Sequence, residues 1–137
     1  MNKKVLVFGS GISGIGACRL LESMERDVIL YDGNPSLNPE ELKRQIGEDT
    51  SVQVILGDLQ EEILHTLDLV VMSPGVPTDL PIVNKMRDMG IPIWGEIELA
   101  FAACTLYFTL TMAGNVLSTY PEGKSKPNTG TFSVCSV

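Results

Sequence analysis

The chain has 137 residues, 44% of them hydrophobic and 6% aromatic, and a net charge of -7. That is material for one globular domain with a modest core, and the acidic balance excludes a nucleic-acid binder, which needs clustered Lys and Arg against a phosphate backbone. Cys18, Cys104 and Cys135 show neither CxxC nor Cys/His ligand spacing, so no disulfide framework or metal site is expected. The absence of a basic leader and of an apolar run of about twenty residues points to a soluble, cytoplasmic protein without a membrane span.

Lys4-Val5-Leu6-Val7-Phe8 reads as a buried strand, and it runs straight into Gly9-Ser10-Gly11-Ile12-Ser13-Gly14. Ile12 to Met24 has helical apolar spacing through Ile12, Ile15, Cys18 and Leu20-Leu21, and Asp27 to Tyr31 forms a second strand ending in Asp32. Pro39 to Ile46 is a helix, with Pro39, Glu40 and Glu41 suited to its first turn. Val52 to Leu56 is strand three, Glu61 to Leu67 a short helix and Leu67 to Met72 strand four, ending at Ser73-Pro74-Gly75. Pro81 to Met89 is helical and stops at Gly90, and Ile91 to Trp94 is a short edge strand because of Pro92. Glu96 to Ala103 is one more helix, with Ile97, Leu99, Ala100 and Phe101 as its apolar surface. Thr105 to Met112 alternates loosely as a strand would, and Thr119 to Thr131 has the Pro, Gly, Ser and Asn of a loop or disordered tail.

Alternation of strands and helices predicts an α/β fold: a Rossmann-like three-layer domain on a mostly parallel five-stranded sheet, with an atypical tail. The boundary falls between a binding domain at 1–104 and a divergent tail at 105–137.

The glycine run is the main chemical signal. In a strand-to-helix turn, Gly9 permits the tight bend, Gly11 lets backbone approach a diphosphate and Gly14 allows close helix–strand packing, while the free N–H groups of the helix start face the anion. Asp32, 18 residues after Gly14, stands where such folds place a ribose-binding carboxylate, although Asp-Gly-Asn-Pro is also plain turn chemistry. Ser73-Pro74-Gly75 lies at the carboxyl edge of the sheet and combines a rigid turn with a hydroxyl donor. Glu96 and Glu98 suit a helix start by their charge alone. His65 has no companion and receives no role, and Cys18 belongs to the core. Gly123-Lys124-Ser125 resembles the end of an ATP loop, but Ser118 stands where its leading glycine should be.

In order, Val5 to Gly14, Tyr31-Asp32, Val71-Met72-Ser73-Pro74-Gly75-Val76-Pro77 and Trp94-Gly95-Glu96-Ile97-Glu98-Leu99 resemble the amino-terminal domain of a Mur ligase, in the branch that adds D-glutamate. The resemblance covers residues 1 to about 103. It implies an ATP- and magnesium-dependent amide-bond ligase of peptidoglycan synthesis, working through an acyl phosphate, whose amino-terminal domain holds the UDP end of UDP-N-acetylmuramoyl-L-alanine. The partners implied are a central ATP-binding domain and a carboxyl-terminal domain. By motif, Gly11, Ile12, Ser13 and Gly14 would face the diphosphate, Asp32 and Gly33 the uracil or its ribose, and Ser73 and Gly75 would close over the diphosphate region. Phe108 to Val116 has no Lys and Thr in register with the family's phosphate loop, which implies a truncated or non-native continuation that binds without catalysing and carries no cofactor. The competing reading is an NAD(P)-binding Rossmann domain of an oxidoreductase or sensor, which the glycines and Asp32 also permit.

Overall fold

Val5, Leu6, Val7 and Phe8 are all buried, as expected for a strand covered on both faces. The computed structural model describes residues 3–106. Within them β1 (Lys4–Phe8), β2 (Asp27–Asp32), β3 (Gln53–Leu56), β4 (Leu69–Met72) and β5 (Ile93–Gly95) form one sheet in the order β3-β2-β1-β4-β5. Every pairing is parallel, with Leu6 opposite Ile29 on one side and Val70 on the other. The connecting helices are α1 (Ile12–Ser23), α2 (Pro39–Ile46), α3 (Glu61–Leu64) and α4 (Pro81–Asp88), and a further helix, α5, occupies 96–106.

Side chains alternate across the strands and so divide the core in two. Val5, Val7, Val28, Leu30 and Val71 pack under α1 and α2, together with Leu99 from α5. Leu6, Phe8, Ile29, Tyr31, Val70 and Met72 pack on the other face with Leu64, Val83 and Met86. The result is the expected three-layer α/β architecture, with the chain reversing its direction of winding at β1 and β4. Ligands of such sheets bind at that switch point, beyond the carboxyl ends of the strands.

Local chemistry sets the helix ends. Asn38 caps α2 by accepting from the N–H groups of Glu40 and Glu41, and Pro39 sits where its missing N–H costs nothing. Arg19 on α1 donates to the carbonyls of Gln45 and Ile46 at the other end of α2.

Several expectations shift. The third helix ends at Leu64 and β4 begins at Leu69, because Leu67 belongs to the core beneath the turn. The apolar stripe of α1 begins at Ile15, since Ile12 is 96% exposed at the helix start. On α5 only Leu99 reaches the core, and Ile97 and Phe101 are exposed. Residues 105 and 106 continue that helix and do not start a strand. The remaining expectations for the tail, including the strand over 107–112, the loop over 119–131 and Gly123-Lys124-Ser125, lie outside the described residues. Among the described residues no helix is long and apolar enough to cross a membrane.

Candidate functional site

The turn between β1 and α1 is built around two glycines that no other residue could replace. Gly9 has φ +108° and donates its N–H to the Tyr31 carbonyl at 2.8 Å, and a β-carbon there would meet Ser73 Cβ and Val76 Cγ2 at 2.9 Å. A β-carbon at Gly14 would lie 1.9 Å from the Gly9 carbonyl oxygen, so the start of α1 can press against the end of β1 only with glycine at 14. Gly11 is different: a β-carbon would have nothing within 4 Å. Its conformation is extended (φ -67°, ψ 179°) as the residue that opens α1. The space above it is open.

The same helix start is left electrostatically bare. No side chain caps it and its first turn holds no acidic residue. The first helical hydrogen bond runs from Ile15 N–H to the Gly11 carbonyl at 3.0 Å, which leaves the N–H groups of Ile12, Ser13 and Gly14 ahead of the helical ladder. Those donors and the positive end of the helix dipole favour an anion in front of exposed Gly11, Ile12 and Ser13.

A cleft of about 780 Å³ opens beside this turn. Its floor is the ring pair Phe8 and Tyr31, whose centroids lie 4.8 Å apart. Asp32, Gly33 and Asn34 line it from the end of β2, Asp58 and Leu59 from the end of β3, and Gly75, Val76 and Pro77 from the end of β4. Leu80, Pro81 and Ile82 close it at the start of α4. Among the described residues, two carboxylates and no Lys or Arg line this space, a balance suited to neutral groups that donate hydrogen bonds and not to phosphate.

Asp32 joins cleft to turn. Its Oδ2 accepts from the Ser10 N–H at 3.0 Å and from the Ser10 hydroxyl at 2.6 Å, and its Oδ1 accepts from the Asn34 N–H at 3.0 Å. Partial burial alone would raise its pKa, but the Ser10 hydroxyl and the two N–H donors outweigh that and hold the carboxyl below its ordinary value. Tyr31 shifts the other way: burial first, then the negative charges of Asp58 and Asp32, push its phenol up. It therefore remains a donor, to the Gly57 carbonyl at 2.8 Å.

Ser73 is 7% exposed and its hydroxyl donates to Glu96 Oε1 at 2.9 Å. The donor expected for a sugar or phosphate oxygen is thus already engaged, and Ser73 instead fills the gap that Gly9 and Gly14 leave. Pro74 and Gly75 form the middle of a turn closed by Val76 N–H on the Ser73 carbonyl at 3.0 Å. Gly75 lines the cleft with open space where a β-carbon would stand.

The predicted residues accordingly separate into three places: Gly11, Ile12, Ser13 and Gly14 at the helix start, Asp32, Gly33 and Gly75 in the cleft, and Ser73 between them. Sequence reasoning missed Ser10, Glu96 as a side-chain partner, and the walls supplied by Asp58 and Leu59. Ser10 lay inside the motif but at a position whose side chain the motif leaves open. Glu96 is 23 residues from Ser73, and only folding brings them together.

Comparison with known proteins agrees with this architecture. The family described as Mur ligase MurD-like, N-terminal domain, matches residues 3–95. The UDP-N-acetylmuramoylalanine–D-glutamate ligase of Lachnospira eligens is 50% identical over 100 residues, covering 73% of this chain and 22% of that protein. The ligase of the same name from Lachnoclostridium phytofermentans is 43% identical over 131 residues, covering 88% of this chain and 29% of its own; that alignment extends beyond residue 104. The chain therefore spans between about a fifth and three-tenths of these relatives. Among solved structures, a pseudomurein peptide ligase type C from Methanothermus fervidus superimposes with a TM-score of 0.54 at 20% identity, over 68% of this chain and 19% of that one, a likeness of fold. With most of its length matched by one family and half of its aligned residues shared with one relative, the chain belongs to the Mur ligases, as a MurD-like N-terminal domain.

Proposed function

We propose that residues 1–104 bind the UDP portion of UDP-N-acetylmuramoyl-L-alanine, within an ATP-dependent ligase that adds D-glutamate during cytoplasmic peptidoglycan synthesis. The diphosphate lies before the start of α1, against the N–H groups of Ile12, Ser13 and Gly14, with Gly11 leaving room for its approach. The uridine enters the cleft, where Asp32 accepts a base or ribose donor, Gly33 and Gly75 keep the walls open, and Phe8 and Tyr31 supply an apolar floor. Ser73 acts from behind, holding Glu96 and the glycine turn in place.

The observation that carries this reading is the division of charge between neighbouring subsites. A protein of net charge -7 holds an anion only where local donors converge, and the uncapped start of α1 is such a place beside a carboxylate-lined cleft. A nucleoside diphosphate has the matching halves. ATP, magnesium and the amide-forming step belong to the whole enzyme, with its central and carboxyl-terminal domains, and no described residue is assigned to them. Residues 105–137 follow this domain in sequence, and the isolated chain binds without ligating.

Calorimetric titration with UDP-N-acetylmuramoyl-L-alanine, and with NAD under identical conditions, tests the proposal. Saturable binding of the UDP ligand alone is expected. Binding of NAD alone would overturn it in favour of a dinucleotide-binding domain.

A further inference from the structure

Ser10 lies between the first two glycines of the turn, and both of its donors go to one oxygen of a residue 22 positions away. A carboxylate offers about four acceptor lone-pair sites, two on each oxygen. Ser10 fills both sites of Asp32 Oδ2, with its N–H at 3.0 Å and its hydroxyl at 2.6 Å. Asn34 N–H fills one site of Oδ1 at 3.0 Å. Among the described residues no other donor reaches Asp32, which leaves one acceptor site on Oδ1, in a residue that lines the cleft.

We propose that Ser10 is a positioning and specificity residue, which restricts Asp32 to a single open acceptor site and ties that carboxylate to the glycine turn. The inference rests on the nucleotide-binding reading above. Its physical content is registration: the Ser10 hydroxyl sets how far the cleft's acceptor stands from the N–H groups before α1, and hence how a nucleoside and its diphosphate fit together. A ligand that offers Asp32 one N–H or O–H is accepted with Ser10 in place. A ligand that presents two vicinal ribose hydroxyls to both carboxylate oxygens must first displace the Ser10 hydroxyl.

The test is a double-mutant cycle on the full chain, with UDP as the calorimetric probe and the variants Ser10→Ala, Ser10→Thr, Asp32→Ala and Ser10→Ala/Asp32→Ala. Ser10→Ala is expected to weaken UDP roughly five- to twentyfold, about 1–2 kcal/mol of lost positioning, while Ser10→Thr stays within about twofold of the parent. In the Asp32→Ala background, removing the Ser10 hydroxyl should change nothing further. A purely structural role would weaken binding in both backgrounds. The proposal is overturned if Ser10→Ala binds UDP as the parent chain does, or if the two losses multiply. Carbon-detected NMR titration of the Asp32 carboxyl supplies a readout that needs no ligand: its midpoint should rise in Ser10→Ala, and an unmoved midpoint overturns the clamp itself. Absence of UDP binding by the parent chain would overturn the nucleotide-binding reading and with it the ligand role of Ser10, whereas the NMR titration would still decide whether Ser10 holds Asp32.

Discussion

A methyl group at position 14 would stand 1.9 Å from a backbone oxygen, and one at position 11 would touch nothing within 4 Å. The two glycines of one turn therefore separate folding from binding. Gly14→Ala forces α1 away from β1 and should cost about 1–3 kcal/mol, the range of overpacked cores, seen as a lower urea midpoint. Gly11→Val should keep the far-UV spectrum and lose at most about 1 kcal/mol through poorer helix capping, yet abolish nucleotide binding, because the obstructed space belongs to the ligand. Retained affinity in Gly11→Val would remove the diphosphate from that place. At this scale the motif was fully legible for Gly9 and Gly14, whose roles depend on backbone within a few residues. For Ser73 it was not, since the hydroxyl's partner is the Glu96 carboxylate on α5, 23 residues away.

Between elements, the lower edge of α1 is held by Glu22, which accepts from the Thr50 hydroxyl and from the N–H and hydroxyl of Ser51 just before β3. Burial would raise the Glu22 pKa, but the Ser51 and Thr50 donors outweigh it and lower the carboxyl below its ordinary value. Because the folded pKa is below the unfolded one, this junction stabilises the fold fully above the unfolded value of about 4.3 and is lost as pH falls through the lower folded value. Glu22→Gln should accordingly flatten the acid limb of stability. Urea midpoints measured from pH 7 down to pH 3 check this, and equal slopes in parent and variant would show that the junction does not titrate with folding. Pro39, Asn38 and the acidic first turn of α2 were readable as a helix start because capping is local. The extent of α3 was not, because Leu67 is buried by packing and its apolar character alone continued the helical pattern. Ile97 and Phe101 misled for the same reason: apolar spacing says that a face exists, and only the neighbouring elements decide whether it is covered.

Across the whole molecule, Cys18 sits with no exposure in the core between sheet and α1, and burial, with a smaller contribution from the charge of Glu22, pushes its thiol up to about 12. Such a thiol is protonated and shielded at neutral pH. Alkylation followed by mass spectrometry should modify exposed Cys104 promptly and Cys18 only at the rate of global opening. Early labelling of Cys18 in native buffer would mean that α1 leaves the sheet locally.

The succession of strands and helices along the chain and the glycine turn could be read from the chain itself, since apolar runs of strand length, 3.6-residue apolar periods, caps and glycine sterics act over a few residues and survive in one dimension. The parallel sheet followed from their alternation. What only the tertiary structure decided is how distant polar groups meet: Ser10 with Asp32, Ser73 with Glu96, and Asp58 with Asp32 across one cleft. Their meeting depends on which strands are neighbours, β1 with β2, β4 with β5 and β2 with β3, and the two hydrogen bonds among them, Ser10 to Asp32 and Ser73 to Glu96, are set by that juxtaposition and by no local pattern of residues.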